Sequence, residues 1–226
     1  NTVNDKEIRK ILISWLQASN SEIRIYQEKS IGASICDLMA VTDCLTGYEI
    51  KSDLDNYQRL DRQIKNYDRV FDKNYVVVGQ QHHITVEKRV PSHWGIIVIM
   101  NDRVYIARKA QSGTPSLKNK LRLLWKIELK NILCRLNLPP CTYKSKDYII
   151  QYLLSENQGK QIQNALVYEL MHRDYSIFNA RDYTFYSNTT ETKTSEICES
   201  IPTEEFIDTL SEQDLQQMTL DQWINL

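Results

Sequence analysis

Apolar residues recur every three or four positions at Ile8, Ile11, Leu12, Trp15 and Leu16, which predicts a helix over 4–18 with one buried stripe. The period then changes. Residues 22–30 alternate apolar and polar side chains around Ile23 and Ile25, and 33–41 form a more continuous apolar run broken by Asp37. Both read as strands, and 45–52 is the natural antiparallel partner of the second, after a turn at Thr42, Asp43 and Cys44. A helix follows, with Ser52 or Asp53 as its cap and Tyr57, Leu60, Ile64, Tyr67 and Phe71 as its packed face. Residues 74–80 read as a buried strand and 82–90 as a short helix ended by Pro91. A further strand is predicted over 93–100, extended by a hairpin through Asn101 and Asp102 into 103–110.

After residue 115 the strand signal stops. Residues 116–137 have the pattern of one long amphipathic helix stopped by Pro139 and Pro140, and shorter helices are predicted at 146–155 and 159–173. The expected organisation is an α/β core over 1–115, a helical extension over 116–173, and a connector with an acidic tail over 174–226. Ser211 and Asp214 in that tail form a capping-box pattern.

Composition changes this picture in two places. The five cysteines are scattered, with no CxxC pair, so reduced thiols in a cytoplasmic protein are expected rather than a disulfide framework or a zinc site. Residues 191–226 hold nine acidic residues against the single Lys193. Out of totals of 29 acidic and 28 basic, the rest of the chain therefore carries 20 acidic and 27 basic residues. A basic body suits a polyanionic ligand, and the acidic tail suits a basic partner or the protein's own basic groove. No apolar run approaches the ~20 residues that span a bilayer. Residues 1–16 lack the pattern of a signal peptide, so no membrane contact is expected.

Chemistry enters at 37–51. Side chains of a strand alternate faces, so Glu49 and Lys51 share one face while Tyr48 and Ile50 share the other. A three-residue turn at 42–44 pairs Val41 with Leu45 and, counting back, sets Asp37 opposite Glu49. A two-residue turn would send Glu49 to the other face. The first register also collects Cys36, Leu38, Ala40, Tyr48 and Ile50 on one coherent apolar face, and is favoured for that reason. Two carboxylates held so close repel each other unless a cation lies between them, and Mg²⁺ (or Mn²⁺) suits one or two carboxylates completed by waters and phosphate oxygens. Lys51 beside them is placed to orient or deprotonate a water, or to stabilise charge on a phosphate.

Asp37, a gap of 11 residues, then Glu49-Ile50-Lys51 resembles the D…ExK core of the PD-(D/E)XK superfamily, the restriction-endonuclease-like nucleases. The order helix, strand, Asp strand, ExK strand, helix, strand is similar to that core. Gln63 and Tyr67 on the following helix resemble the QxxxY pattern of its RecB-like branches, and Cys36 stands where the superfamily's proline would precede the Asp. The run 48–82 with 91–96 looks like a group of small bacterial and phage proteins in this superfamily, the resemblance covering roughly residues 5–175.

The resemblance implies an α/β fold, a restriction-endonuclease-like core with a mixed central sheet flanked by helices, plus a helical C-terminal extension. It implies a metal-dependent deoxyribonuclease, in a setting of phage defence or mobile elements. Asp37 and Glu49 would ligate Mg²⁺, with Glu28 or Glu7 as a third carboxylate; Lys51 would assist the attacking water and Gln63 would support the site. Arg59, Arg62 and Tyr67 are candidate nucleic-acid contacts, against the plainer readings of a solvated basic face and a core tyrosine. RNA stays open as the substrate, and so does a catalytically inactive nuclease-fold module that binds DNA or protein. A homodimer, or two separate events, would be needed to cut both strands. His82, His83 and His93 lack accompanying carboxylate spacing and read as structural or surface residues. The chain has no phosphate loop, GxSxG elbow or HExxH motif.

Overall fold

The computed structural model describes residues 5–51, 58–79, 83–141 and 143–175. Six strands lie side by side in chain order. β1 (Arg24–Ile31), β2 (Ser34–Val41) and β3 (Leu45–Lys51) form an antiparallel meander. β4 (Lys73–Gly79) and β5 (Gly95–Met100) run parallel to β3, and β6 (Arg103–Arg108) returns antiparallel to β5. Asn101 and Asp102 turn the last hairpin with φ of 51° and 59°, the left-handed pair that matches the twist of the flanking strands. The sheet is therefore open and mixed, as the resemblance implied.

Its two faces are covered differently. α1 (Asp5–Ser19) lays Ile8, Leu12 and Leu16 on a face made by Leu38, Ala40, Tyr48, Ile50, Val77, Ile97 and Ile99. The opposite face carries α2 (Leu60–Asp68), α3 (His83–Glu87), α4 (Leu117–Leu121), α5 (Lys126–Arg135), α6 (Lys146–Ser155) and α7 (Gly159–Met171). Met39, Val76, Val78, Ile96 and Val98 of the sheet join Leu121, Leu129, Ile149 and Leu166 of the later helices in one apolar cluster. Central strands buried on both sides are the reason β4 and β5 read as unbroken apolar runs. Gly47 is required where α2 crosses β3, because a Cβ there would collide with the Phe71 and Tyr67 rings.

Three expectations need correction or placement. The single helix over 116–137 is two helices. Trp125 is extended, with φ −72° and ψ 160°, and its N–H donates to Glu128 Oε2 at 2.6 Å, which starts α5 afresh. Glu128 is held there by Arg173, a contact 45 residues away that helical periodicity cannot report. Cys36 belongs to the α2 side of the sheet, not with Leu38 and Ala40. The ladder between β1 and β2 lacks the Glu28–Asp37 pair, and Glu28 has a left-handed φ of 52°, so the alternation of faces slips there. The caps at Ser52 or Asp53, Tyr57, His82 and the tail with Ser211 and Asp214 lie outside the described residues.

Candidate active site

The turn at 42–44 sets the geometry. Val41 pairs with Leu45, Ala40 with Thr46, Met39 with Gly47 and Leu38 with Tyr48, so Asp37 and Glu49 each lie one residue beyond the last pair of the ladder. Asp37 Oδ2 accepts a 2.7 Å hydrogen bond from the Ile50 N–H of β3, which ties the two strands at that level. Both carboxylates, with Lys51, lie at the end of β3 from which the chain leaves toward α2.

Glu49 is 1% exposed, and a buried carboxylate is tolerable only when donors surround it. Three do. Lys51 Nζ lies 2.6 Å from Oε1, Gln63 Nε2 donates to the same oxygen, and the Tyr67 hydroxyl donates to Oε2 at 2.7 Å. Lys51 also donates to Gln63 Oε1 at 3.2 Å, so these side chains form one closed network. Gln63 and Tyr67 reach it because they are four residues apart on α2 and share a face.

Asp37 is held more loosely. Its acidity is weakened, with the pKa pushed up to about 7, first by burial and next by the negative charge of Glu49; the Ile50 N–H, Arg9 and Lys51 act in the opposite direction. Arg9 reaches Asp37 from α1, which covers the sheet face opposite α2. Its Nη1 donates to the Asp37 carbonyl oxygen at 2.9 Å, and its Nη2 lies 3.6 Å from Oδ1. The same Nη2 lies 3.3 Å from Asp5 Oδ2 and 3.8 Å from Glu28 Oε1.

Asp37, Glu49 and Lys51, expected together from strand register, and Gln63, expected there from the resemblance, lie in one cluster. Glu28 stands beside Asp37 in the β1–β2 register, but its mostly exposed carboxylate faces Arg9. Glu7 lines a groove of about 900 Å³ between α1 and β6, with Lys10, Trp15 and Tyr105. Arg59, just before α2, and Arg62 on it are exposed. Tyr67 as a nucleic-acid contact is corrected: it is fully buried, and its hydroxyl holds Glu49 and accepts from the Asp37 N–H at 3.2 Å. His93 pairs with Asp68 Oδ1 at 3.0 Å, an oxygen also taken by the Trp94 ring N–H. Arg9 was missed because nothing in a helical pattern marks a partner 28 residues away.

The donor set, two carboxylates with one of them partly exposed, offers hard oxygen ligands of the kind Mg²⁺ and Mn²⁺ take. Among the described residues, no group of three or more His, Cys, Asp or Glu side chains is placed to hold a metal ion.

The sequence pattern of the family described as bacteriophage P4 protein cII matches residues 1–199. The chain belongs to that family. A relative in it, protein cII of Enterobacteria phage P4, is 27% identical over 186 residues, covering 78% of this chain and 70% of its own length. The expected association with phage proteins is thereby borne out. Among solved structures, a protein of unknown function from Silicibacter pomeroyi is similar over 46% of this chain and 69% of its own, at 15% identity and a TM-score of 0.38. Neither name states a chemistry. Among the described residues no helix is long and apolar enough to cross a membrane.

Proposed function

We propose that this member of the P4 cII family is a metal-dependent nuclease that hydrolyses DNA phosphodiester bonds, on a restriction-endonuclease-like core. One observation carries the reading: Asp37 accepts from the Ile50 N–H of the strand that holds Glu49, the Tyr67 hydroxyl bridges the Asp37 N–H and Glu49 Oε2, and Lys51 Nζ lies 2.6 Å from Glu49. The order α1, β1, β2, β3, α2, β4, with the first three strands antiparallel and β4 parallel to β3, supports it.

Asp37 Oδ1 and a Glu49 oxygen would hold Mg²⁺. Bound there, the ion would polarise a phosphoryl oxygen and ease the ionisation of a water. Gln63 and Tyr67 keep the Glu49 carboxylate in one orientation by three fixed donors on its two oxygens, counting Lys51. Lys51, the charged member of that set, is placed to orient the attacking water or to neutralise charge developing on the phosphate. Arg59 and Arg62, exposed at the start of the helix that supplies Gln63, would contact the DNA backbone.

A second reading is favoured by a different observation. Asp37 is already beside Arg9 and Glu49 beside Lys51, so the cluster is partly self-neutralised, as in a catalytically inactive module that keeps the fold to bind DNA or protein. The deciding experiment compares wild type with Asp37→Ala and Lys51→Ala on circular and linear, single- and double-stranded DNA, and on RNA. Each would be run with Mg²⁺, Mn²⁺ or EDTA. Cutting by wild type with metal only, lost in both variants, supports the nuclease. Folded proteins that neither cut nor bind metal sink it in favour of the binding module, and cutting confined to RNA replaces the substrate.

A further inference from the structure

The Asp37 carboxylate has two unequal oxygens. Oδ2 is committed to the Ile50 N–H at 2.7 Å, so Oδ1 is the oxygen left to a ligand. What stands before Oδ1 is the Arg9 guanidinium at 3.6 Å, an ion pair too long to be a hydrogen bond. Arg9 has a firmer anchor elsewhere, the 2.9 Å bond from Nη1 to the Asp37 carbonyl oxygen. Nη2, by contrast, donates a long hydrogen bond to Asp5 Oδ2 at 3.3 Å and is shared with two further carboxylates, Asp37 at 3.6 Å and Glu28 at 3.8 Å. A guanidinium pinned by one nitrogen and shared by the other can change partner through a small rotation, without leaving its place.

Glu28 completes the arrangement. Its backbone is in the left-handed region, φ 52°, where a glutamate is strained, and this occurs at the one position opposite Asp37 where the β1–β2 ladder is interrupted. The departure aims a 70% exposed carboxylate at Arg9. An exposed carboxylate costs little to leave half-paired, so it serves as a second berth for the guanidinium.

Resting on the nuclease reading, we propose that Arg9 is a displaceable counter-ion: it pairs with Asp37 Oδ1 while no metal is bound, and moves to Glu28 when a divalent cation takes that oxygen. Arg9 is thus a positioning residue that sets metal affinity, and Glu28 acts through Arg9 and not as a ligand. The arrangement lowers affinity, because a dication must replace one positive charge, and in return two carboxylates are never left facing each other unpaired.

The test is calorimetric titration of the full chain with Mn²⁺, for wild type, Arg9→Gln, Glu28→Gln and the double variant, with Arg9→Lys and Asp37→Asn as controls. Arg9→Gln should tighten Mn²⁺ binding about tenfold, the scale of removing one nearby positive charge at a partly exposed site. Glu28→Gln should weaken it severalfold in the wild-type background and leave it unchanged in the Arg9→Gln background. Arg9→Lys, which keeps the charge, should bind as wild type does, and Arg9→Met, uncharged like Arg9→Gln, carries the comparison should Arg9→Gln fail to fold. Equal weakening by Glu28→Gln in both backgrounds would make Glu28 a ligand and overturn the proposal. So would Mn²⁺ binding that is lost in Asp37→Asn yet indifferent to Arg9→Gln, an outcome that leaves the nuclease reading standing. No Mn²⁺ binding by any of the proteins removes the metal site, and this proposal falls together with the nuclease reading.

Discussion

Among the described residues, two buried ionic clusters are built to different rules. Glu128 and Arg173 meet in the helical half, side by side and both at most 5% exposed by side chain. Arg173 Nε and Nη2 grip the two Glu128 oxygens at 2.6 Å each, Nη2 also donates to the Leu123 carbonyl, and the guanidinium lies 4.3 Å from the Trp125 ring. One negative charge meets one positive charge in a two-pronged contact. The cluster around Glu49 is unbalanced instead: four carboxylates, Asp5, Glu28, Asp37 and Glu49, share two cations, Arg9 and Lys51, that come from separate elements, and Asp37 is left partly open. A charge in a core is thus no sign of function by itself. An excess of one sign, held rigidly at a strand end and open on one side, is what a ligand can complete.

Breaking the balanced pair should have the largest effect. Arg173→Ala leaves Glu128 charged, buried and unanswered, and should cost roughly 3–5 kcal/mol of stability in chemical denaturation, while Glu128→Ala additionally removes the start of α5. A loss under about 1 kcal/mol would mean that the two clusters are not different in kind.

The unbalanced cluster should respond in activity. Lys51→Ala should lower metal-dependent DNA cleavage by about 100-fold or more, with the midpoint of unfolding little changed. If cleavage survives, the lysine serves only to neutralise Glu49.

Acidity gives a third contrast. Because the Asp37 pKa is raised from 3.8 to about 7 in the folded chain, the fold binds its proton more tightly than the unfolded chain does. The stabilisation this gives is full below pH 3.8 and is lost as pH rises through about 7. In EDTA, Asp37→Asn should therefore remove a fall in stability between pH 5 and 8, on the order of 2 kcal/mol, that wild type shows. Identical slopes would refute the unbalanced charge at this site.

The smallest effect is that of Tyr67→Phe, which keeps the ring against Phe71 and Trp94 but takes one donor from Glu49. About 1–2 kcal/mol of stability should be lost, with slower cleavage. Gln63→Leu should act on cleavage in the same direction.

Much of this was legible in the chain. The Asp37–Glu49 juxtaposition followed from a three-residue turn and the two-residue period of a strand, because hairpin register is decided within a few residues of the turn. The left-handed Asn101–Asp102 hairpin and the stripe of α1 were local in the same sense. Other features depend on contacts far apart in sequence. Arg9 reaches Asp37 only because α1 packs across the sheet, and Tyr67 turns from an expected ligand contact into a buried hydroxyl because Gly47 lets α2 lie flat on β3. Cys36 changed faces through the irregularity at Glu28, and α4 parted from α5 because Arg173 holds Glu128. Periodicity and turn chemistry are properties of neighbours along the chain, so the sequence alone determined the strands, their pairing across the turn and the chemical pair they carry. Which charges share a buried space is a property of neighbours in three dimensions, and only the tertiary structure decided that.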